Sequence, residues 1–576
     1  METITYREAV LEGISVPVGT PEPDILARAA EKMKRSGTDV RSLHFRLYKK
    51  SVDARHREDI RLVCSVLCRA ADDAPGFLPE QLARLGAKPY APGRLELGRG
   101  ELPLAARPLV VGMGPAGLFC ALLLARQGYA PLLIDRGDAI PERTAAVARF
   151  TQDGELDTES NIQFGAGGAG TFSDGKLLTR INDARCAFVL ETFRALGAPE
   201  DITLKAKPHV GTDVLRGVVT RMLDEIRAAG GETLFRCRMD GFTRQPDGSW
   251  TVHTTRGDIS AGVVVLAPGH SARDTYGMLI ARGSEVVAKP ISVGVRIEHR
   301  REDIDRLFYG KMAGHPDLGA AEYSFSDTAG ERGVYTFCMC PGGQVVAAAS
   351  ERGTVVVNGM SCRARDGVNS NAAIAVSVQT SDYEPVDGSL ALGAIAFQRR
   401  IESAAFRAGG DHYDVPVETV GDFLAGDRPV HMPGRVQPGY RGGEHFRLAR
   451  MGDVLPDFAC RNLARGLRAF DRKRPGYAMP EAILSAARAH PARGGFLCDR
   501  TAGAVSLRGG RRICRRHYQC RRGRHPRGGS HLCAVRPGAL RGLPSGAPRR
   551  ILSQPFRGAP KPTREDRDAV LPSPMR

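Results

Sequence analysis

Six residues from Gly112 to Gly117 read Gly-Met-Gly-Pro-Ala-Gly. Glycine at the first, third and sixth of these places is what a main chain needs in order to wrap a diphosphate. Gly112 permits a tight turn, Gly114 lets the backbone approach the phosphates, and Gly117 lets a helix pack close to the strand before it. Pro115 and Ala116 fall in the first helical turn, whose free N–H groups and roughly half positive charge favour an anion. The apolar run Leu109-Val110-Val111 leads into the turn, an apolar helical stretch follows it, and a second apolar strand ends in Asp135. Asp135 lies 18 residues past Gly117. At that spacing an acid accepts from a ribose 2′-hydroxyl and disfavours a 2′-phosphate. Arg136, next to it, joins the candidate site. Glycine patterns of this kind also arise by chance in structural turns. Here strand, glycines, helix, strand and terminal acid agree on a dinucleotide, without separating FAD from NAD.

A second glycine stretch points to a flavin. Gly165, Gly167, Gly168 and Gly170 fall within six residues, followed by Thr171, Ser173, Asp174 and Lys176. Such a run is costly in backbone entropy and suits a place where main chain presses against a ligand. The hydroxyls, acid and cation after it read as a second phosphate and ribityl contact; a flexible surface loop is the competing reading. Further on, the apolar residues 261–266 read as one strand ending in Ala267-Pro268-Gly269-His270, and Gly269 at a strand's carboxyl end sits where α/β ligands bind. An ordinary strand–loop join competes evenly there.

Taken together these residues resemble a bacterial family of uncharacterised FAD-dependent dehydrogenases, the NAD(P)/FAD-dependent oxidoreductases with an extra N-terminal α/β module. The resemblance runs from about residue 1 to Ala486. Besides the stretch ending in TFSDGKL, its most specific part, it rests on YKKSVDAR at 48–55, KPHVGT at 207–212, TFCMCPGG at 336–343, VNGMSCRARDG at 357–367 and Phe470-Asp471-Arg472-Lys473. It implies FAD as cofactor, hydride transfer to or from a small-molecule substrate, NAD(P)H as a candidate reductant and a cytoplasmic setting. It supplies no substrate. The flavin itself carries the hydride in such enzymes and the protein mainly orients it, so no catalytic residue is singled out.

Other reactive residues carry weaker signals. His209 in its Pro-His-Val-Gly-Thr turn could face the flavin as an acid or substrate anchor, although a structural role is favoured. Cys338 and Cys340 flank Met339 in a strand, where alternation puts both thiols on one face; buried strand thiols outweigh a redox pair. Cys64 and Cys68 likewise share a strand face and read as buried thiols. None of the 13 cysteines forms a CxxC pair, no cluster has zinc spacing, and scattered cysteines in a long chain favour reduced thiols.

These groups need elements to position them, and the pattern is α/β: a Rossmann-type FAD-binding domain, a β-rich substrate or cap domain, and a small N-terminal α/β domain. Residues 1–100 form the module, with a helix capped by Thr20-Pro21, carrying Ile25, Ala29 and Met33 on one face and closing at Gly37. Residues 105–290 alternate strands and helices. Residues 291–400 read mainly as strands, over 291–297, 334–339, 344–349 and 354–357. Residues 401–486 mix helix and loop, return to the FAD domain and end in a helix over 480–486. No apolar run is long enough for a membrane span, and the N-terminus has no secretory apolar core.

The net charge of +18 is concentrated at one end. Residues 487–576 hold 20 Arg, 1 Lys and 4 acids, which leaves 61 bases against 60 acids before them. Val, Ile, Leu and Phe make up only 14 of those 90 residues, a disordered composition. Arginine outnumbers lysine heavily, and the glycine-rich segment that the resemblance leads one to expect there is missing. A one-base shift with allowed codons converts 507–532 into CGEGAGYAGGITSAAVDGIRAAEAIC, a Gly-Glu-Gly turn with a small-residue helix start. The tail therefore reads as an off-frame translation, which implies weak FAD binding by this chain and a product without turnover as the alternative function. An Arg-rich nucleic-acid arm is the less favoured reading.

Overall fold

The computed structural model describes residues 5–35, 38–90, 95, 97–98, 103–177, 183–426, 429–491, 497–498 and 504–506. Gly37, the expected helix closure, lies outside them. The N-terminal module follows its hydrophobic pattern. Strand β1 (Glu8–Pro17) leads through the Thr20 turn into helix α1 (Glu22–Arg35), which buries Ile25, Ala29 and Met33. Strands β2 (Leu43–Asp53) and β3 (Arg61–Ala70), helix α2 (Pro79–Leu85) and strand β4 (Ala87–Pro89) complete an antiparallel sheet in the order β2-β3-β1-β4. Cys64 and Cys68 are buried on β3 with Leu62 and Val66, and burial pushes the Cys68 thiol up to about 12. Lys50 reaches out of the module to Asp317, 3.0 Å away.

The dinucleotide domain begins with β5 (Pro108–Val111), α3 (Pro115–Arg126), β6 (Leu132–Ile134) and α4 (Ile140–Asp153). Helices α5 (Ala184–Ala195) and α6 (Thr212–Ala228) lead to β7 (Glu232–Leu234). An antiparallel meander of β8 (Met239–Arg244), β9 (Trp250–Thr254) and β10 (Gly257–Ala261) precedes β11 (Val263–Leu266) and α7 (Arg273–Ala281). Residues 261–266 are therefore two strands, broken at Gly262, rather than the single one expected. β11 runs parallel to β5, pairing Leu266 with Val111, and β6 and β7 follow on the other side. Every residue of β5 and β6 is buried, as a parallel sheet covered by helices on both faces requires.

The β-rich domain holds short β12 (Val286–Val287), then β13 (Ile291–Arg300), α8 (Arg301–Tyr309), β14 (Ser326–Asp327) and β15 (Val334–Cys340). A hairpin of β16 (Gln344–Ala347) and β17 (Val357–Met360) follows, then β18 (Asn369–Val378) and α9 (Leu390–Ala408). The last strand of the hairpin thus starts where the sequence pattern placed the end of one. Next come β19 (Val415–Thr419), α10 (Val420–Ala425), β20 (Phe446–Leu448), α11 (Asp457–Lys473) and β21 (Ile483–Pro491). The sheet order is β14-β15-β18-β13-β21-β19-β20.

Three expectations are corrected here. Residues 480–486 are not helical: β21 lies between β13 and β19. The run Ala482 to Ala487 is fully buried, and a short buried apolar run has no periodicity by which to tell strand from helix. Among the described residues, 401–486 add no strand to the dinucleotide domain's sheet: their strands extend the β-rich sheet, while Arg441 reaches back to the Thr151 and Gln152 carbonyls of α4. The segment from 487 is not disordered throughout. β21 reaches Pro491, β22 (Leu497–Cys498) pairs with β12, and β23 (Ala504–Ser506) adds a parallel strand beside β11. The rest of 487–576 lies outside the described residues.

Candidate functional site

The two glycine stretches meet backbone to backbone. Gly167 donates its N–H to the Met113 carbonyl at 2.9 Å. A Cβ on Gly168, where φ is +62°, would lie 2.8 Å from the Gly114 Cα, so no other residue fits without displacing the turn. Gly112, at φ +103°, presses on the Ala267 carbonyl after β11 in the same way. The first turn of α3, from Pro115 through Ala116 and Gly117, lies beside this junction with amides that have no helical acceptor. At Gly170 and Gly269 an added Cβ would meet nothing within 4 Å, so these two border open space.

Tertiary contacts revise the roles of several expected ligands. Asp135 is buried, and its carboxylate is a clamp. Oδ2 accepts from the Met113 N–H at 2.7 Å, while Oδ1 accepts from Gly137 at 2.8 Å and Gly165 at 2.9 Å. It joins both glycine stretches to the end of β6, and Oδ2 keeps one lone pair. Gly165 and Gly167 are small because the side chains of Arg143 and Thr171 occupy the space their Cβ atoms would need, not because a ligand does. Thr171 itself is buried and turns its hydroxyl to the Ala166 carbonyl at 3.3 Å. Ser173 points its hydroxyl at the Gly359 carbonyl of β17, also at 3.3 Å.

Arg143 is the residue that sequence reading missed. It leaves α4 on the buried face with Ala146 and Phe150 and donates to the carbonyls of Asn161, Ile162, Ala166 and Gly168. Its guanidinium also stacks on Phe172, 4.7 Å from the ring centroid. Burial lowers its affinity for the proton, to a pKa of about 9. The available signal was an arginine at i, i+3, i+7 with two apolar residues, where a lone charge needs backbone acceptors.

Arg136 is engaged by protein as well. It forks onto Glu159 and Asp274 at 2.8–2.9 Å and lies over Phe164, 4.4 Å from the ring centroid. With Asp274, Ser271, Glu351 and Arg399 it lines a cleft of about 440 Å³. This cleft lies beside the carboxyl ends of β6 and β11.

Asp174 and Lys176 form a second, buried centre where the glycine loop meets the β-rich domain. Lys176 and His209 pair as an isolated antiparallel bridge. Around Asp174 stand Lys176 at 3.0 Å, Arg365 at 3.2 Å and His209 at 3.5 Å, together with the Ser361 hydroxyl. Glu322 pairs with Arg365 at 2.6 Å. Burial opposes the Asp174 charge, but Lys176, Arg365 and His209 outweigh it and hold the carboxyl below its usual range. Burial also opposes the Lys176 charge, and Cys340, Asp174, Cys338 and Glu322 outweigh it. Burial and the nearby Arg365 push His209 down to about 4, so its imidazole is neutral near pH 7. Among the described residues no group of His, Cys, Asp and Glu is arranged to hold a metal ion, and no helix is long and apolar enough to cross a membrane.

A parallel sheet with a glycine turn, a helix N-terminus and a second glycine loop at its carboxyl edge defines a dinucleotide-binding α/β protein. Residues 290–490 match the family model described as FAD-dependent protein, C-terminal domain-like. A Clostridium beijerinckii relative, described as an uncharacterized protein, is 42% identical over 470 residues, covering 80% of this chain and 85% of that one. The chain belongs to the family of FAD-dependent proteins to which that relative belongs, and its cofactor is FAD. Solved structures are more distant. An aklavinone-11 hydroxylase, in a ternary complex with FAD and aklavinone, is 12% identical with a TM-score of 0.28, covering 71% of this chain and 57% of that one. The atypical thioredoxin reductase TRi from Desulfovibrio vulgaris Hildenborough is 16% identical with a TM-score of 0.16, covering 29% of this chain and 36% of that one. Likenesses this low decide nothing about the reaction.

Proposed function

We propose that this protein is an FAD-dependent oxidoreductase acting on a small-molecule substrate, with NAD(P)H as the candidate reductant. The observation that carries the reading is the contact between Gly168 and Gly114 beside the first turn of α3. It makes one cradle of two glycine stretches, and the open space at Gly170 and Gly269 leaves room for a ligand to lie along it. The residues present therefore fit the cofactor. Bound there, FAD supplies two-electron hydride chemistry. The amides of Ala116 and Gly117 hold its diphosphate. The remaining Asp135 Oδ2 lone pair accepts from a ribose hydroxyl, and the cleft beside Arg136 takes the adenosine end. At the other end Lys176 presents a cation, while Asp174 and His209 set its position. NAD(P)H docks without a nucleotide domain of its own, since the described residues hold a single parallel sheet. The test is to purify the protein, look for a flavin absorption band, and add NADH or NADPH without oxygen. Bleaching supports the reading; a bound flavin that neither nucleotide reduces removes the NAD(P)H step, and protein that takes up no flavin with its C-terminal frame restored removes the whole.

A second reading concerns this chain in particular: its C-terminal segment is an off-frame translation and weakens FAD binding. The family match stops at residue 490, while the chain continues to 576 with the Arg-rich composition described above. Resequencing the gene across this point is the direct test, and an unbroken frame that matches the present sequence refutes it.

A further inference from the structure

We infer that Cys338 and Cys340 are a redox-active pair that exchanges electrons with the flavin; the electron partner rests on the reading above, the pair itself does not. A regular strand does not account for this segment. The ladder between β15 and β18 pairs Phe337 with Ala373 and Cys340 with Asn371, so one extra residue is inserted between them. Cys338 takes that bulge at φ +47°, a left-handed conformation that strains a non-glycine residue. Bulges and strain of this kind concentrate beside active sites. The bulge turns the Cys340 thiol back onto Cys338, where it donates to the Cys338 carbonyl at 3.3 Å. It also cancels the simple alternation that the CxC spacing suggested.

Two cations converge on the pair. Arg296 on β13 is fully buried, and among the described residues no carboxylate lies within ion-pair distance of it. Its Nη2 donates to the Cys338 carbonyl at 2.8 Å and approaches the Cys340 sulfur at 3.7 Å. Lys176, at the end of the glycine loop, lies within electrostatic reach of both thiols. Arg296 is held in place by the Asn371 amide oxygen, 2.8 Å from its Nε, and Lys176 by Asp174 at 3.0 Å. The neighbouring Cys338 thiol and burial push the Cys340 thiol well up, and Lys176 opposes that rise; thiolate is the form that attacks and exchanges. Cys340 is buried, but Cys338 is partly exposed and adjoins Phe337, which is 45% exposed, so small reagents have a route to the pair. In the step, both S–H bonds break and one S–S bond forms. Two electrons and one proton pass to oxidised flavin, and the second proton leaves to solvent; reduced flavin reverses it.

The sequence provides a clean assay. Trypsin releases residues 333–352, whose only cysteines are this pair, and residues 62–69, whose only cysteines are Cys64 and Cys68. The full chain is equilibrated in graded mixtures of reduced and oxidised dithiothreitol, with diamide as the strongest oxidant. It is then quenched in acid, unfolded, alkylated and weighed. The expected result is that 333–352 passes in one step from two alkyl groups to none, with the loss of two hydrogens, while 62–69 keeps both alkyl groups throughout. Lys176→Met shifts that step toward more reducing mixtures, because the reduced pair loses a stabilising cation. The proposal is overturned if 333–352 stays doubly alkylated under every condition, or if 62–69 links as readily. Flavin content measured on the same samples judges the oxidoreductase reading separately, and its absence leaves the peptide masses to decide on the pair.

Discussion

Replacing Arg143 by methionine removes the staple of the second glycine loop while keeping most of the side chain's volume. Four hydrogen bonds from a charged donor are lost, and at the low end of their range they amount to about 6 kcal/mol gross. Against this, Arg143 is a buried guanidinium with no carboxylate within ion-pair distance among the described residues, and removing it recovers desolvation energy of about 3 kcal/mol. The net loss is then about 3 kcal/mol, which corresponds to about a 100-fold change in an equilibrium. Because the bonds all lie in the loop, the cost is local. Hydrogen exchange on the peptide covering residues 160–172 should accelerate by up to about 100-fold in Arg143→Met, whereas exchange in the N-terminal module stays unchanged. If the glycine loop holds the flavin as proposed, binding must supply the lost order, so its Kd rises by a similar factor. Unchanged protection of 160–172 in the variant would show that the glycine loop orders itself and that the staple argument is wrong.

Other consequences follow from single contacts. Gly168→Ala pushes a methyl against Gly114 at positive φ and should cost about 1–3 kcal/mol together with bound flavin, whereas Gly170→Ala, facing open space, should cost under about 1 kcal/mol; equal melting of the two would refute the close approach. Asp135→Asn turns an acceptor into a donor facing backbone N–H groups and should destabilise by about 2 kcal/mol, read from the denaturant midpoint. His209 and His299, both held near 4 by burial, are depressed below their ordinary 6.5, so the unfolded chain binds more protons and stability falls as pH drops from about 6.5 to 4. His209→Gln should flatten that slope, and an unaltered slope in denaturation curves counts against burial of the imidazole. Glu298 works the other way: burial raises it to about 7, its contribution is full below its ordinary 4.5 and is lost as pH rises through 7, and Glu298→Gln should reduce that alkaline loss.

The sequence alone determined the chemistry with a local code. The strand–turn–helix around Gly112 to Gly117 and the helix face of Ile25, Ala29 and Met33 were legible, because each is set by spacing within one short segment. Tertiary structure decided what those segments touch. Asp135 reads as a ribose ligand alone until Met113, Gly137 and Gly165 fold onto it and make it a backbone clamp as well; three glycines of the second stretch are there for Arg143, Thr171 and Gly114 rather than for a ligand. The run from Ala482 to Ala487 became a strand only because β13 and β19 flank it, since a short buried apolar segment carries no period of its own. The ion cluster at Asp174 reaches Arg365, far along the chain, and the bulge at Cys338 depends on β18 and on Arg296 of β13. No local pattern encodes such meetings, because they are fixed by how the β-rich sheet packs against the glycine loop, where burial turns a charge or a thiol into a partner that must be found across the fold.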